Sequence, residues 1–180
     1  MKASIGCVLA VVLSLSLSAG AAVQQGDTEL AIAGSLTMTQ FNDESGFDME
    51  DDTTLSAQFA IGHFFTDNIE VLGQAFGMWA SEGQSLYDLG VSGKYHFLTA
   101  GNTVPYVGGQ FNAAFFKSGG DGEDSTESGY LYGPLGGVKF FVSEKTTMFA
   151  EYQLQLFGGS PSDFIDMQHV LLFGISFLFK

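Results

Sequence analysis

The sequence predicts an all-β fold, an eight-stranded antiparallel up-and-down transmembrane β-barrel. Three observations support this prediction: eight segments alternate in polarity, short turns alternate with longer connections, and the polar face of the segments is rich in small residues. A side-chain period of two is that of a β-strand with different environments on its two faces. The predicted strands are residues 28–41, 53–65, 69–80, 86–98, 104–117, 129–142, 147–158 and 164–179.

Composition limits the class of protein further. The chain has 180 residues, a formal net charge of -14, 24 Gly and 18 Phe. This length fits one domain with a substantial core. The abundance of Phe excludes a disordered acidic chain, and only six Lys and Arg residues exclude a nucleic-acid-binding surface.

The first 22 residues read as a secretory signal peptide. Lys2 provides a positive start, residues 5–15 are mostly apolar, and Ala19 and Ala21 form an A-x-A cleavage motif. The apolar stretch is shorter than a membrane-spanning helix requires, so a retained N-terminal anchor is the less favoured alternative. We expect cleavage after Ala21 or Ala22, which removes the single cysteine, Cys7, and leaves the barrel domain at residues 23–180.

The last two predicted strands show the alternation most clearly. In the final strand, the odd positions include the apolar residues Phe173, Ile175 and Phe177. In the seventh strand, the polar residues Glu151 and Gln153 alternate with apolar residues. A soluble β-sandwich also has two such faces. The Gly, Ala and Ser residues on the polar face instead favour the narrow lumen of a barrel that has lipid outside it.

The connections alternate in length, as they do in transmembrane barrels. Tight turns are expected at 66–68, 100–102 and 144–146, and longer connections at 42–52, 81–85, 118–128 and 159–163. Aromatic residues fall at two levels along the strands and predict two interfacial girdles. The turn-end girdle is Phe65, Tyr95, Phe97, Phe140, Phe177 and Phe179, and the loop-end girdle is Trp79, Tyr87, Phe115 and Tyr132.

Several strand motifs resemble a known family. Residues 93–97 (GKYHF), 104–109 (VPYVGG) and 136–141 (GGVKFF) are similar to recurring motifs of small OmpA/OmpX-type outer-membrane β-barrels, which are porin-like in architecture. The resemblance implies a Gram-negative outer-membrane location and contact with outer-membrane lipid and lipopolysaccharide. It also implies a C-terminal assembly signal, Phe173, Ile175, Phe177 and Phe179, that the barrel-insertion machinery reads. The family normally ends on the aromatic residue, whereas Lys180 follows it here.

Inward-facing charges predict an interior network. A three-residue turn at 144–146 places Lys139 opposite Glu151, and a loop centred on Gly83 places Glu70 opposite His96. Unpaired buried charges cost several kcal/mol, so we expect these groups to be paired. The predicted network is Glu70, Lys94, His96, Lys139 and Glu151, with Glu29 as a further candidate. We interpret it as a plug; the alternative is a gate in a narrow water path.

The acidic segments 43–52 and 121–127 are interpreted as solvated loops whose charges repel one another. Divalent cations that bridge to lipopolysaccharide are the alternative, since carboxylates are hard oxygen ligands. Residues 119–124 match one copy of a calcium-binding G-G-x-G-x-D repeat. Because that repeat works in stacked copies, we treat the match as coincidental.

No enzyme or cofactor is predicted. His63, His96 and His169 are scattered, and none forms a spaced metal-binding pair with another His or Cys. His169 faces outward by parity without the H-x-S pattern of lipid A deacylases, so we interpret it as an interfacial side chain.

The predicted function is therefore a structural or surface-interaction role for a barrel with acidic loops and a plugged polar interior. The first alternative is a narrow OmpW-like channel for small or hydrophobic solutes. The second is a soluble, lipocalin-like ligand binder. This second alternative is disfavoured by the charged and amide side chains at inward positions, among them Gln110. The G-x-W start of lipocalins is also missing.

Overall fold

The computed structural model describes residues 23–41, 55–79, 85–99, 101–118, 125–160 and 165–180. Within them lie eight strands. The strands are β1 (Thr28–Phe41), β2 (Leu55–Phe64), β3 (Ile69–Trp79), β4 (Ser85–His96), β5 (Thr103–Ser118), β6 (Ser125–Ser143), β7 (Thr146–Gly159) and β8 (Ile165–Phe179). The predicted signal peptide, the acidic segment 43–52 and the repeat match at 119–124 lie outside the described residues.

The eight strands form a closed barrel in which each strand pairs antiparallel with its neighbours in sequence, and β1 pairs with β8. Closure gives each strand a hydrogen-bonded neighbour on both sides. The predicted fold is confirmed, and the predicted strands match the observed ones to within a few residues. The main difference in strand bounds is that β6 begins at Ser125, so the predicted loop 118–128 is partly strand. The part of the chain that the structure describes contains no helix long and apolar enough to cross a membrane.

The two faces of the barrel wall differ in chemistry. Outward side chains are large and apolar, and Leu89 and Phe111 are 64% and 56% exposed. Inward side chains include many buried amides and charges, such as Gln74 and Gln153. This distribution is stable when hydrocarbon surrounds the barrel, because lipid tails then solvate the apolar face. It gives no support to the lipocalin-like alternative, which needs a wet exterior and an apolar cavity.

The aromatic residues predicted to form girdles lie on the outer face. Nine are exposed, and Phe140 is half-buried. At the loop end, the indole nitrogen of Trp79 donates a hydrogen bond to the hydroxyl of Tyr87 at 3.0 Å. The pair keeps polar atoms at the rim of the apolar band, as interfacial Trp and Tyr residues do.

Two predicted strand registers are wrong by two residues. The β6–β7 turn has two residues instead of three, Ser143 pairs with Thr146, and a bulge follows Phe141. Lys139 therefore lies opposite Phe149, and Glu151 lies opposite Gly137. Between β3 and β4, the residue opposite Glu70 is Lys94 and not His96. A shift of two preserves the face of every side chain, so the same residues point inward with different neighbours.

Candidate functional site

The barrel interior near the β2–β3, β4–β5 and β6–β7 turns holds buried charges. We call this end of the barrel the turn end and the opposite end the loop end. Lys139 on β6 is central: its Nζ donates to Glu70 Oε2 on β3 at 3.1 Å and also to Glu29 Oε2 on β1. One ammonium group thus bridges carboxylates from two strands that are not neighbours of β6 in the barrel.

A second ion pair lies beside the first. Lys94 Nζ on β4 donates to Glu151 Oε2 on β7 at 2.5 Å. The same carboxylate oxygen accepts a hydrogen bond from the Tyr106 hydroxyl on β5 at 2.8 Å. The ammonium of Lys94 also lies 4.8 Å from the centre of the Tyr106 ring, a cation–π distance. Glu151 is therefore held by an ammonium and a phenol from two other strands.

His96 joins these two ion pairs. Its Nε2 lies 2.9 Å from Glu70 Oε2, and its ring packs between those of Phe64 and Tyr106 at centroid distances of 5.1 and 5.3 Å. The structure thus brings together all five sequence-predicted residues and Glu29. The predicted direct pairing of Lys139 with Glu151 is wrong, because Lys139 bonds to Glu29 and Glu70 while Glu151 bonds to Lys94. We call Glu29, Glu70, Lys94, His96, Tyr106, Lys139 and Glu151 the turn-end network.

Sequence reasoning did not assign a role to Tyr106. This residue is 2% exposed and contributes both a hydroxyl donor and a ring face to the network. Its even position on β5 is an inward position, so strand parity was the signal that could have identified it. Parity alone does not predict that the tyrosine hydroxyl will donate a hydrogen bond among charged side chains.

Above the turn-end network, side-chain amides share the interior with a buried apolar cluster that includes Leu72 and Leu172. Gln153 donates to Glu151 Oε1 at 2.7 Å and accepts from Gln110 at 3.2 Å. Gln74 then donates both to Gln110 at 2.9 Å and to Asn112 at 3.2 Å. Hydrogen bonds satisfy these buried amides and connect three strands, β3, β5 and β7, inside the barrel. We call Gln74, Gln110, Asn112 and Gln153 the amide layer.

The amide layer ends at a further carboxylate. Asn112 Nδ2 donates to Asp88 Oδ1 at 2.8 Å, so an unbroken chain of hydrogen bonds runs from Glu151 to Asp88. Sequence reasoning did not identify Asp88 as a site residue. Its even position on β4 shares the inward parity of Lys94 and His96, and this is the signal that could have revealed it.

Apolar clusters lie at both ends of the polar interior. The turn-end cluster is Val23, Phe64, Val104, Phe141 and Leu178. The loop-end cluster is Leu86, Ala114, Leu131 and Phe157, with Met78 and Phe116 packed against it. Val23 reaches its position because the segment before β1 folds back: Gln25 N–H donates to Asp67 Oδ1 at 2.8 Å, and Gly26 adopts a positive φ of 88°.

The outer face carries two further sets of predicted residues. Phe173, Ile175, Phe177 and Phe179 all point outward from β8, the strand that closes the barrel against β1. His169 also lies on this face, where its Nδ1 is 2.6 Å from the Tyr152 hydroxyl.

Among the described residues, no three His, Cys, Asp or Glu side chains are placed to hold a metal ion together.

Comparison with solved structures identifies the fold class. Neisserial surface protein A matches with a TM-score of 0.66 at 17% identity, covering 85% of this chain and 96% of that one. Ail, the attachment invasion locus protein of Yersinia pestis, matches with a TM-score of 0.59 at 13% identity, covering 87% and 100%. The outer membrane protein OprG of Pseudomonas aeruginosa matches with a TM-score of 0.53 at 13% identity, covering 88% and 98%.

No protein-family model matches the sequence, and comparison with curated proteins gives no match. The structural matches therefore define the class by fold alone. The chain has the architecture of small OmpA/OmpX-type outer-membrane barrels, as its strand motifs predicted.

Proposed function

We propose that this protein resides in the outer membrane of a Gram-negative bacterium and has a structural or surface-contact role, without transporting solutes. Its apolar exterior supports contact with outer-membrane lipid and lipopolysaccharide. The structurally similar proteins include one described as a surface protein and one described as an outer membrane protein. The acidic segment 43–52 lies in the connection between β1 and β2, and Asp121, Glu123 and Asp124 lie in the connection between β5 and β6; both connections are at the loop end, which would face the cell exterior.

The observation that carries this proposal is the filled interior. The turn-end network and the amide layer fill the lumen with side-chain contacts between strands that are not neighbours, among them Lys139 to Glu70 and Gln110 to Gln153. A barrel of eight strands has an interior just wide enough for side chains to fill. Passage of a solute would require the breaking of several buried hydrogen bonds and ion pairs at once.

Conductance in planar lipid bilayers tests the plug directly. We expect the wild-type protein to give no discrete openings, while a double variant that truncates the amide layer, Gln110→Ala with Gln153→Ala, gives small ones. The outward-facing double change Phe111→Ala with Tyr152→Ala is the matched control and should stay silent. Discrete openings in the wild type would contradict the plug and favour the alternative, a narrow channel for small or hydrophobic solutes.

Cell fractionation tests the location separately. The proposal requires cleavage after Ala21 or Ala22, insertion by the barrel-insertion machinery and recovery of the protein with outer-membrane markers. An intact mass that matches residues 22–180 or 23–180 would establish the cleavage. Recovery in the soluble periplasmic extract would contradict the location, whatever the bilayers show.

A further inference from the structure

Residues 23–27 precede β1 and lie at the turn end of the barrel; we call them the strap. Val23 is 1% exposed and belongs to the turn-end cluster, whose other members come from β2, β5, β6 and β8. Because these four strands lie on different sides of the barrel, the cluster spans its mouth. Gln24, Gln25 and Gly26 are exposed. The strap therefore inserts one apolar side chain into the mouth and leaves polar residues outside it.

The turn-end cluster lies next to the turn-end network. The ring of Phe64 is 5.1 Å from that of His96, and Lys139 Nζ lies 5.3 Å from the centre of the Phe64 ring. Phe64 is the last residue of β2 and Val104 is the second residue of β5, so the cluster is the outermost inward layer at this end. Exclusion of water strengthens buried ion pairs, because the local dielectric constant is then low. Val23 thus belongs to the layer that separates the network from solvent.

The described bonds between the strap and the barrel lie mainly at the surface. Gln25 N–H donates to Asp67 Oδ1 at 2.8 Å, and Lys180 Nζ donates to Gln24 Oε1 at 3.2 Å; both bonds are exposed. Gly26 N–H donates to the carbonyl of Phe64 at 2.9 Å, where the β1–β2 pairing ends. Exposed bonds in a segment outside the strands open at a lower free energy than the strands themselves. These are the features of a segment that opens while the barrel stays folded.

A glycine sets the path of the strap. Gly26 has a φ of 88°, a left-handed conformation that residues with a side chain rarely adopt. Around it, Asp27 N–H donates to the Gln24 carbonyl at 3.0 Å, and Gln24 N–H donates to Asp27 Oδ2 at 2.9 Å. This tight turn directs Val23 into the cluster. A Cβ at Gly26 would meet no atom within 4 Å, so Gly26→Ala would change the backbone preference without a clash.

We propose that the strap is a hinged lid that opens about Gly26 and controls the access of water to the turn-end network. In the closed state, Val23 completes the apolar layer over the network. In the open state, Val23 leaves that layer, and water reaches Phe64 and Val104 from the turn end. Neither conductance nor a cellular location enters this inference, so it stands apart from the proposed function.

Thiol labelling of the purified protein in detergent measures the opening. Cys7 is the only cysteine in the chain, so Cys7→Ser combined with Val104→Cys leaves one thiol, in the turn-end cluster. The reagent is a small, water-soluble methanethiosulfonate. When closing is faster than labelling, the labelling rate follows the open population. We expect Gly26→Ala to raise this rate about 5- to 30-fold, because the left-handed conformation is less favourable for alanine than for glycine.

Two controls separate opening of the strap from unfolding of the barrel. Gly101→Ala also lies at the turn end, but its Cβ meets no atom within 4 Å and its φ is not positive, so the rate should not change. Leu86→Cys, again with Cys7→Ser, places the thiol in the loop-end cluster instead. Gly26→Ala should not accelerate labelling there.

Several results would overturn the proposal. An unchanged rate at Val104→Cys would show that Gly26 is not the hinge, and an equal rise at Leu86→Cys or on Gly101→Ala would show a general loss of stability. Amide exchange in the unaltered protein gives a test that does not depend on the folding of variants. We expect the Gln25 amide to exchange at least about ten times faster than the amides in the middle of β3. Equal protection would mean that the strap does not open separately from the barrel.

Discussion

Lys139 on β6 and Glu70 on β3 meet across the barrel interior, with Nζ and Oε2 3.1 Å apart and neither side chain more than 1% exposed. The two strands are not neighbours in the barrel. Because Lys139 also bonds to Glu29 on β1, it holds together three parts of the wall that backbone pairing does not join directly. The interior network therefore adds tertiary contacts to a fold whose other contacts lie mainly between neighbouring strands.

Replacing Lys139 by methionine should strongly destabilise the barrel. The change leaves Glu29 and Glu70 buried without the ammonium group that both contact. Breaking a buried ion pair by removing one partner costs about 3–5 kcal/mol. The free energy of unfolding in detergent, followed by Trp79 fluorescence, measures the loss.

Lys145→Met is the matched control, since Lys145 is exposed in the β6–β7 turn. Its expected effect lies within about 0.5 kcal/mol. If the two variants lose equal stability, the interior contacts of Lys139 do not contribute as the geometry indicates.

In double-mutant cycles, Glu151 should couple more strongly to Lys94 than to Lys139. These two side chains are in direct contact at 2.5 Å, whereas Lys139 bonds to other carboxylates. Contacting residues show interaction energies of about 0.5–3 kcal/mol. The cycle of Lys94→Met with Glu151→Gln should fall in that range and exceed the cycle of Lys139→Met with Glu151→Gln. The reverse order would support the register that the sequence predicted.

Strand parity explains why the sequence predicted which residues are inside but not which ones pair. Lys139 and Glu151 both face inward in the predicted and observed registers, because a shift of two residues preserves parity. Their partners depend on the turn at Glu144 and the bulge after Phe141, and neither feature follows from alternation. Contacts across the lumen, such as Lys139 with Glu70, depend on barrel closure and side-chain reach, which no strand pattern encodes.

Gly137→Ala should damage the turn-end network through a steric effect. A Cβ at this position would lie 2.5 Å from both the Tyr106 hydroxyl and the Ala150 carbonyl oxygen. Tyr106 would have to move and would lose its bond to Glu151. We expect a loss of about 1–3 kcal/mol in the free energy of unfolding, the range for overpacking.

Gly73→Ala provides the comparison, because a Cβ there meets no atom within 4 Å. Because the folded state is not strained, the change should be neutral or raise the free energy of unfolding by about 0.4–1 kcal/mol. The gain arises because alanine lowers the conformational entropy of the unfolded chain. Equal destabilisation by the two changes would show that loss of glycine itself, and not the contact with Tyr106, is responsible.

Phe179→Ala should reduce assembly in cells more than it reduces stability in detergent. Phe179 is 44% exposed on the outer face of β8, and the proposed assembly signal requires its ring to be read during insertion. Phe115→Ala is the control, an outward aromatic residue of 45% exposure near the loop end and outside that signal. Both variants should unfold at similar denaturant concentrations after refolding from the purified state. In cells, the membrane-inserted, protease-resistant fraction should fall for Phe179→Ala and stay near wild type for Phe115→Ala. An equal fall for both would mean that insertion depends on outer-face aromatic area in general, and the C-terminal signal would have to be abandoned.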